Sequence, residues 1–411
     1  MLRWAQLAAS CTCRKNIVTC RYRAAVANPG PVDGGTILPR CSGHDPLAVG
    51  QMRIWPLDIR KAALARPADA SVSGLDLLGF LRLILALSVA GFHLAPGTFP
   101  DAGRQAVAVF FCISGFLVTK IARETYGERP IDFLLNRFLR IFPMYWSCLI
   151  VVIAITLALP VAAQHPLLNL SVETDLPWWL NQITIFNLAP SAGKIIGQSW
   201  SLEIELYFYL YIGLGTSRSF AVTFIGFVFL LIYAVLALFD LALAPFYWVP
   251  STTGFLFYGG SLAYFLYPKL GFGIRSCLIG VAVLAAAMYI LPRNVAPGNY
   301  NALIFISFAG SILVLLALPN IRIAPGLITR IANYCGRLTY PVFLLQIACA
   351  VLIVQFAQNN QLLLLGLSIP LTLTASVILV HAVELPLEKI RRKIRSAGKR
   401  APIDYVPALA P

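Results

Sequence analysis

Arg82 and His93 stand eleven residues apart in an otherwise uncharged run, Leu77 to Ala95. At 3.6 residues per turn they share one face of a helix, about 16 Å apart. Ionisable groups at membrane depth are costly, so each is a functional candidate. A histidine with an ordinary pKa of about 6.5 can act as a general base toward a hydroxyl. An arginine on the same stripe can hold an anion or orient a polar partner. A lone histidine near a helix end is more often structural, and the aligned arginine weakens that reading.

Two carboxylates follow in Trp200–Ser201–Leu202–Glu203–Ile204–Glu205. Two residues apart, they point to different sides of a helix. Glu203 lies nearer the membrane surface. Glu205 lies deeper and needs a partner, which Arg82 or His93 would suit. Arg137 and Arg140 are three apart and share a face if their segment is helical. They can clamp a phosphate bidentately, or they belong to an ordinary basic cytoplasmic loop.

These residues sit in a chain built for a bilayer. Its 411 residues are 59% hydrophobic and only 12% Asp, Glu, Lys or Arg, against roughly 25% charged in soluble domains. That excludes an ordinary soluble protein and a disordered one. Ten apolar segments are long enough to span, near 77–97, 103–121, 142–160, 199–215, 219–239, 247–267, 273–292, 301–319, 334–356 and 361–383. The expected fold is therefore an all-α polytopic membrane bundle of about ten helices.

The formal charge is +15. It collects after the even spans: Lys120, Arg123 and Arg129 with Arg137 and Arg140, then Arg218, then Lys269 and Arg275, then Arg322 and Arg330, and finally the tail from Lys389 to Arg400. The positive-inside rule then places both termini in the cytoplasm. No basic surface remains for nucleic acid once the spans are drawn. The long 161–198 loop, with Pro177, Trp178 and Trp179, reads as an interfacial anchor or as a cover over an outward-facing pocket.

Three regions are expected: an extension over 1–70, a membrane domain over 71–390 and a basic tail over 391–411. The extension is basic and rich in Pro and Gly, with no acid before Asp33, and is expected to be poorly ordered. It has some of the look of an organellar transit peptide, or Met52 is the true start. The spacing of Cys11, Cys13, Cys20 and Cys41 matches no usual zinc site, and no metal is expected.

The stretch Asp76 to His93, DLLGFLRLILALSVAGFH, resembles the opening of the acyltransferase-3 family of integral membrane acyltransferases. Three further pieces are similar to that family's segments in order: Val109 to Val118 (VFFCISGFLV), Arg137 to Tyr145 (RFLRIFPMY) and Trp200 to Tyr209 (WSLEIELYFY). Glu384 to Pro386 before the basic tail also fits. One departure stands at CGRLTYPVFLLQI, where Thr339 and Gln346 replace a Ser and a late His common in the family.

The resemblance implies transfer of an acyl group, usually acetyl, from acyl-CoA (acetyl-CoA) to a hydroxyl of an exported or cell-surface glycan, such as exopolysaccharide or lipopolysaccharide. It implies a bacterial inner membrane. Donor, glycan acceptor and membrane lipids are then the partners; the sequence is silent on oligomeric state. His93 becomes the base, Arg82 the orienting group, Glu205 the family glutamate, and Arg137 with Arg140 the phosphate clamp. Ser114 can act as a transient nucleophile, although Ser114–Gly115 also suits close helix packing. The rival reading is a transporter or flippase for a glycan or small anion. Against it, no broken helices recur at matching positions in two halves.

Overall fold

The computed structural model describes residues 9–14, 17–22, 72–127, 129–160, 164–165, 175–188, 194–241, 249–296, 299–357 and 360–397. The chain divides into two compact units, 1–65 and 66–411. In the first, β1 (Ala9–Arg14) and β2 (Ile17–Tyr22) pair antiparallel, with Cys11 opposite Cys20. Their Thr, Ile and Val content suits strands. The rest of the extension, and the tail beyond Ala397, lie outside the described residues.

The second unit is helical. A short 3₁₀ turn, capped by the Ser73 hydroxyl on the Leu75 amide, leads into α1 (Leu78–Leu94). Then come α2 (Ala102–Ile121), α3 (Pro130–Ala158), α4 (Leu176–Thr184) and α5 (Ser199–Gly213). They are followed by α6 (Phe220–Leu238), α7 (Pro250–Leu270), α8 (Ile274–Ala285) and α9 (Tyr300–Ala317). The last are α10 (Leu327–Ile353), α11 (Gln361–Leu379) and α12 (Leu385–Ala397). Proline in the first turn starts α3 and α7, and Ser219 and Asn360 cap α6 and α11, as helix starts require.

Among the described residues, each of the ten expected spans is a helix, and eight of the helices are long and apolar enough to cross a bilayer. The other two are α5 and α7. With 15 residues, α5 reaches only about 22 Å. For α7 the reason is position. Thr252 through Ala263 is buried throughout, so protein rather than lipid surrounds it, and its Thr, Ser and Gly residues serve packing. A Cβ at Gly260 would fall 1.9 Å from the Cys112 carbonyl oxygen, and one at Gly115 2.0 Å from that of Phe257. Glycine is what lets α2 and α7 touch backbone to backbone.

Around this pair, α2 also packs on α1, α5 and α9, while α10 packs on α1, α3 and α11. On the outside, α6 exposes Ile225, Phe229 and Ile232. The start of α1 and the end of α9 are tied by a short antiparallel pairing, β3 (Val72–Ser73) with β4 (Arg322–Ile323). Arg123 bonds the Arg218 carbonyl, and the Asn320 amide nitrogen donates to the carbonyls of Tyr267 and Phe272, both at 3.2 Å. These contacts gather the basic connections at one end of the bundle, termed the basic end. At the far end, Arg293 reaches the Thr98 carbonyl at 3.0 Å and Arg104 reaches Asn301 at 3.2 Å.

Two helices begin earlier than hydropathy suggests. Polarity ended the expected third and ninth spans near 142 and 334, yet α3 runs from Pro130 and α10 from Leu327. Arg137 and Arg140 are therefore helical and not part of a loop. The tail expected from 391 also starts inside a helix. A π-helical stretch, Val380–Glu384, joins α11 to α12, and α12 packs against α3.

Candidate active site

A cavity of about 170 Å³ lies among α1, α2, α3, α5 and α10. It collects Arg82, Ser114, Arg137, Arg140 and Glu205, residues spread over 124 positions of sequence. Along α2 its wall runs from Ile121 to Val107, about 21 Å of helix. Phe110, Phe111, Leu117 and Phe343 make much of the lining apolar.

At its centre, Glu205 accepts two hydroxyl hydrogen bonds on one carboxylate oxygen. Ser114 Oγ donates at 2.7 Å, and the Tyr209 hydroxyl donates to the same oxygen. The sequence suggested Arg82 or His93 as the partner of Glu205. Among the described residues neither hydrogen-bonds to it, though Arg82 lines the same cavity; a serine and a tyrosine do. Tyr209 was missed, although it stands four residues after Glu205, one helical turn along the same face. The helix register of α2 separates two jobs: Ser114 lines the cavity while Gly115 packs against α7.

Arg137 is buried, and its Nη2 donates to Asn136 Oδ1 at 3.3 Å. Its Nε has no partner. A buried guanidinium N–H left unpaired is costly, and an anion in the cavity would satisfy it. Arg140 and Arg82 line the same space from α3 and α1. The backbone near them is held by Tyr340, whose hydroxyl donates to the Ile141 carbonyl at 3.2 Å. Thr339 also lines the cavity. Gln346, also on α10, is buried with its Oε1 unpaired, and both amide atoms of Gln198 are likewise unpaired.

His93 is not in this cavity. It is the penultimate residue of α1, at the far end, with its ring edge-on to Phe92 at 5.1 Å. The two regions are close along the bundle. Gly103 packs against Phe92 (a Cβ there would fall 2.6 Å from the ring), so the end of α1 is level with the start of α2. Val107, the deepest lining residue of α2, is four residues further on, about 6 Å along the axis.

The described part of the far-end loop, 175–188 and 194–198, packs on the bundle. Trp178 is buried, while Trp179 is half-buried and Leu176 and Leu180 are exposed. Ile185, Leu188, Ile195 and Ile196 are at most 1% exposed. Tyr145 donates to the Gln182 carbonyl at 2.7 Å and Trp146 Nε1 to that of Ile183 at 2.9 Å. The Glu203 carboxylate accepts from the amides of Asn187 (2.9 Å) and Leu188 (2.8 Å). So Glu203 is a loop clasp and Glu205 a cavity residue, as their two-residue spacing requires. Burial lowers the pKa of the nearby Lys194 ammonium, and Glu203 opposes that shift.

A family model described as an acyltransferase domain matches residues 75–381. The exopolysaccharide production protein ExoZ of Rhizobium meliloti (strain 1021) is 33% identical over 123 residues. That match covers 29% of this chain and 36% of the relative. No solved structure matches the chain.

Proposed function

Because this chain belongs to the acyltransferase-3 family of integral membrane acyltransferases, we propose that it moves an acyl group, acetyl foremost, from cytoplasmic acyl-CoA to a hydroxyl of an exported or cell-surface glycan. The observation that carries this reading is the meeting of Arg82, Arg137 and Arg140 with Glu205 and Ser114 in one largely apolar cavity. Cationic groups near the basic end suit a phosphorylated carrier, and the apolar wall beyond them suits a thioester arm. The unpaired Arg137 Nε fits an anionic donor.

The positive-inside rule favours a cytoplasmic basic end, and the family reading favours a bacterial inner membrane. His93 then faces the extracytoplasmic side, about one helical turn beyond the cavity wall. In this account Arg137 and Arg140 hold the donor's phosphates and Arg82 orients the arm. His93 takes the proton of the acceptor hydroxyl as that oxygen attacks the thioester carbonyl. The thiolate leaves and is protonated to the free thiol. The relative's name, an exopolysaccharide production protein, supports a polysaccharide acceptor. Family membership favours acyl transfer over the transport reading.

One observation favours a relay instead. The Ser114 hydroxyl already donates to Glu205, a pairing that suits a nucleophile and its base. Ser114 Oγ would take the acyl group as an ester, its proton passing through Glu205 to the departing thiolate. The acceptor hydroxyl would then attack the ester carbonyl and displace Ser114, its proton passing through Glu205 to Ser114 Oγ. Acyl transfer from radiolabelled acetyl-CoA to membrane glycans in vesicles separates the two routes. Direct transfer is abolished by His93→Ala and survives Ser114→Ala. The relay is abolished by Ser114→Ala. Undiminished transfer in His93→Ala would overturn the base assignment.

A further inference from the structure

A second cavity, about 260 Å³, lies at the basic end between α1, α10 and α12. It shares Arg82 and Arg140 with the first, and adds Arg337, Arg391 and Arg395. Against these five arginines stand three carboxylates, Asp76, Glu384 and Glu388. Glu388 is already committed: it binds Arg391 at 3.0 Å, Arg392 at 3.4 Å, and Arg395. The lining has an excess of positive charge.

Two of its guanidinium groups are incompletely paired. Arg391 is 3% exposed, and its Nε has no partner; nor has the buried Nη1 of Arg337. Burying charged donors without acceptors is unfavourable unless a ligand completes them. Arg391 is also fixed to the first cavity. Asn136, fully buried, accepts on its Oδ1 from Arg137 Nη2 (3.3 Å) and from Arg391 Nη2 (3.5 Å), and its Nδ2 donates to the Arg391 carbonyl at 3.3 Å. The C-terminal helix is thus bonded to the same residue that steadies Arg137. The π-helical stretch Val380–Glu384 sets the path of α12 and supplies Glu384 to the wall.

We propose that this vestibule is a binding site for phosphate groups, that Arg337 and Arg391 are its ligands, and that the nucleotide portion of the acyl donor fills it. Planar guanidinium groups with free N–H donors match phosphate oxygens in geometry as well as charge. The donor assignment rests on the acyl-CoA reading above. Headgroup phosphate of an anionic lipid has the same chemistry, so the test separates the two sources.

The full chain in nanodiscs of zwitterionic lipid is titrated with labelled adenosine 3′,5′-bisphosphate and, separately, with inorganic pyrophosphate. Arg337→Gln and Arg391→Gln are each expected to weaken nucleotide binding by about tenfold or more, as loss of a charged hydrogen bond does. Lys393→Gln, which removes the same charge from the exposed face of α12, is expected to change it by less than about twofold. Wild-type affinity in both arginine variants, or equal weakening in Lys393→Gln, would overturn the site. If Arg391→Gln fails to fold by thermal unfolding, Arg337→Gln and Arg391→Lys carry the test. The lysine keeps the charge but loses the fork, and is expected to bind more weakly than wild type. Displacement of the nucleotide by anionic lipid would overturn the donor assignment in favour of a headgroup. Pyrophosphate binding that depends on both arginines, with no nucleotide binding, would support the phosphate site and overturn the acyl-CoA reading.

Discussion

Glu205 takes two hydroxyl donors on one oxygen while three arginines line the same cavity, so charge and hydrogen bonding meet at one point in an apolar wall. Under the proposed reaction the residues around it have separable kinetic duties. Arg140→Gln is expected to raise KM for acyl-CoA about tenfold with little change in kcat, since it weakens donor binding alone. His93→Gln is expected to lower kcat by about a hundredfold or more at unchanged KM. Steady-state kinetics on the two variants would contradict the assignment if the pattern were reversed. Arg82, His93 and Glu205 stood out as candidates in the sequence because a charge in an apolar run declares itself; of the three, Arg82 and Glu205 line the cavity and His93 does not. Arg337 and Arg391 did not stand out, because basic residues near a helix end look like topology signals wherever they point. The partners of Glu205 were hidden for a different reason. Ser114 lies 91 residues away, and only the packing of α2 on α5 brings them together.

The elements position these groups by contacts that hydropathy only partly foretells. Apolar length identified most of the helices, but α7 packs inside the bundle, and its polar and small residues answer to neighbours instead of lipid. The start of α3 lay beyond reach because Arg137 and Arg140, which line the cavity, break the apolar run without breaking the helix, and Arg330 and Asn333 break it in the same way at the start of α10. The far-end loop was legible as a long aromatic segment, while its seat in the bundle depends on Glu203, Tyr145 and Trp146. Glu203→Gln replaces charge-assisted bonds with weaker neutral ones. Hydrogen exchange at the Asn187 and Leu188 amides is expected to speed up by about tenfold, while exchange in α2 stays unchanged. Unaltered exchange at those two amides would show that the loop is held by its buried isoleucines alone.

At the scale of the whole molecule, the helices alternate so that basic connections and the second cavity lie at one end, His93 lies at the other, and the first cavity runs most of the way between them. The gathering of basic connections at one end was readable from charge, because positive loops favour one side of a membrane regardless of the detailed fold. The identity of acceptor and acyl chain was not, since pocket shape sets such specificity. The polarity makes the account's central claim directional: the donor enters from the basic end and the acceptor waits at the far end. The direct test is acyl transfer in sealed vesicles of known orientation, with radiolabelled acetyl-CoA supplied to one face and polysaccharide to the other. Labelled polysaccharide is expected only when acetyl-CoA meets the face that carries Lys120, Arg218 and α12. Labelling when acetyl-CoA is confined to the His93 face, and none in the opposite arrangement, would contradict it.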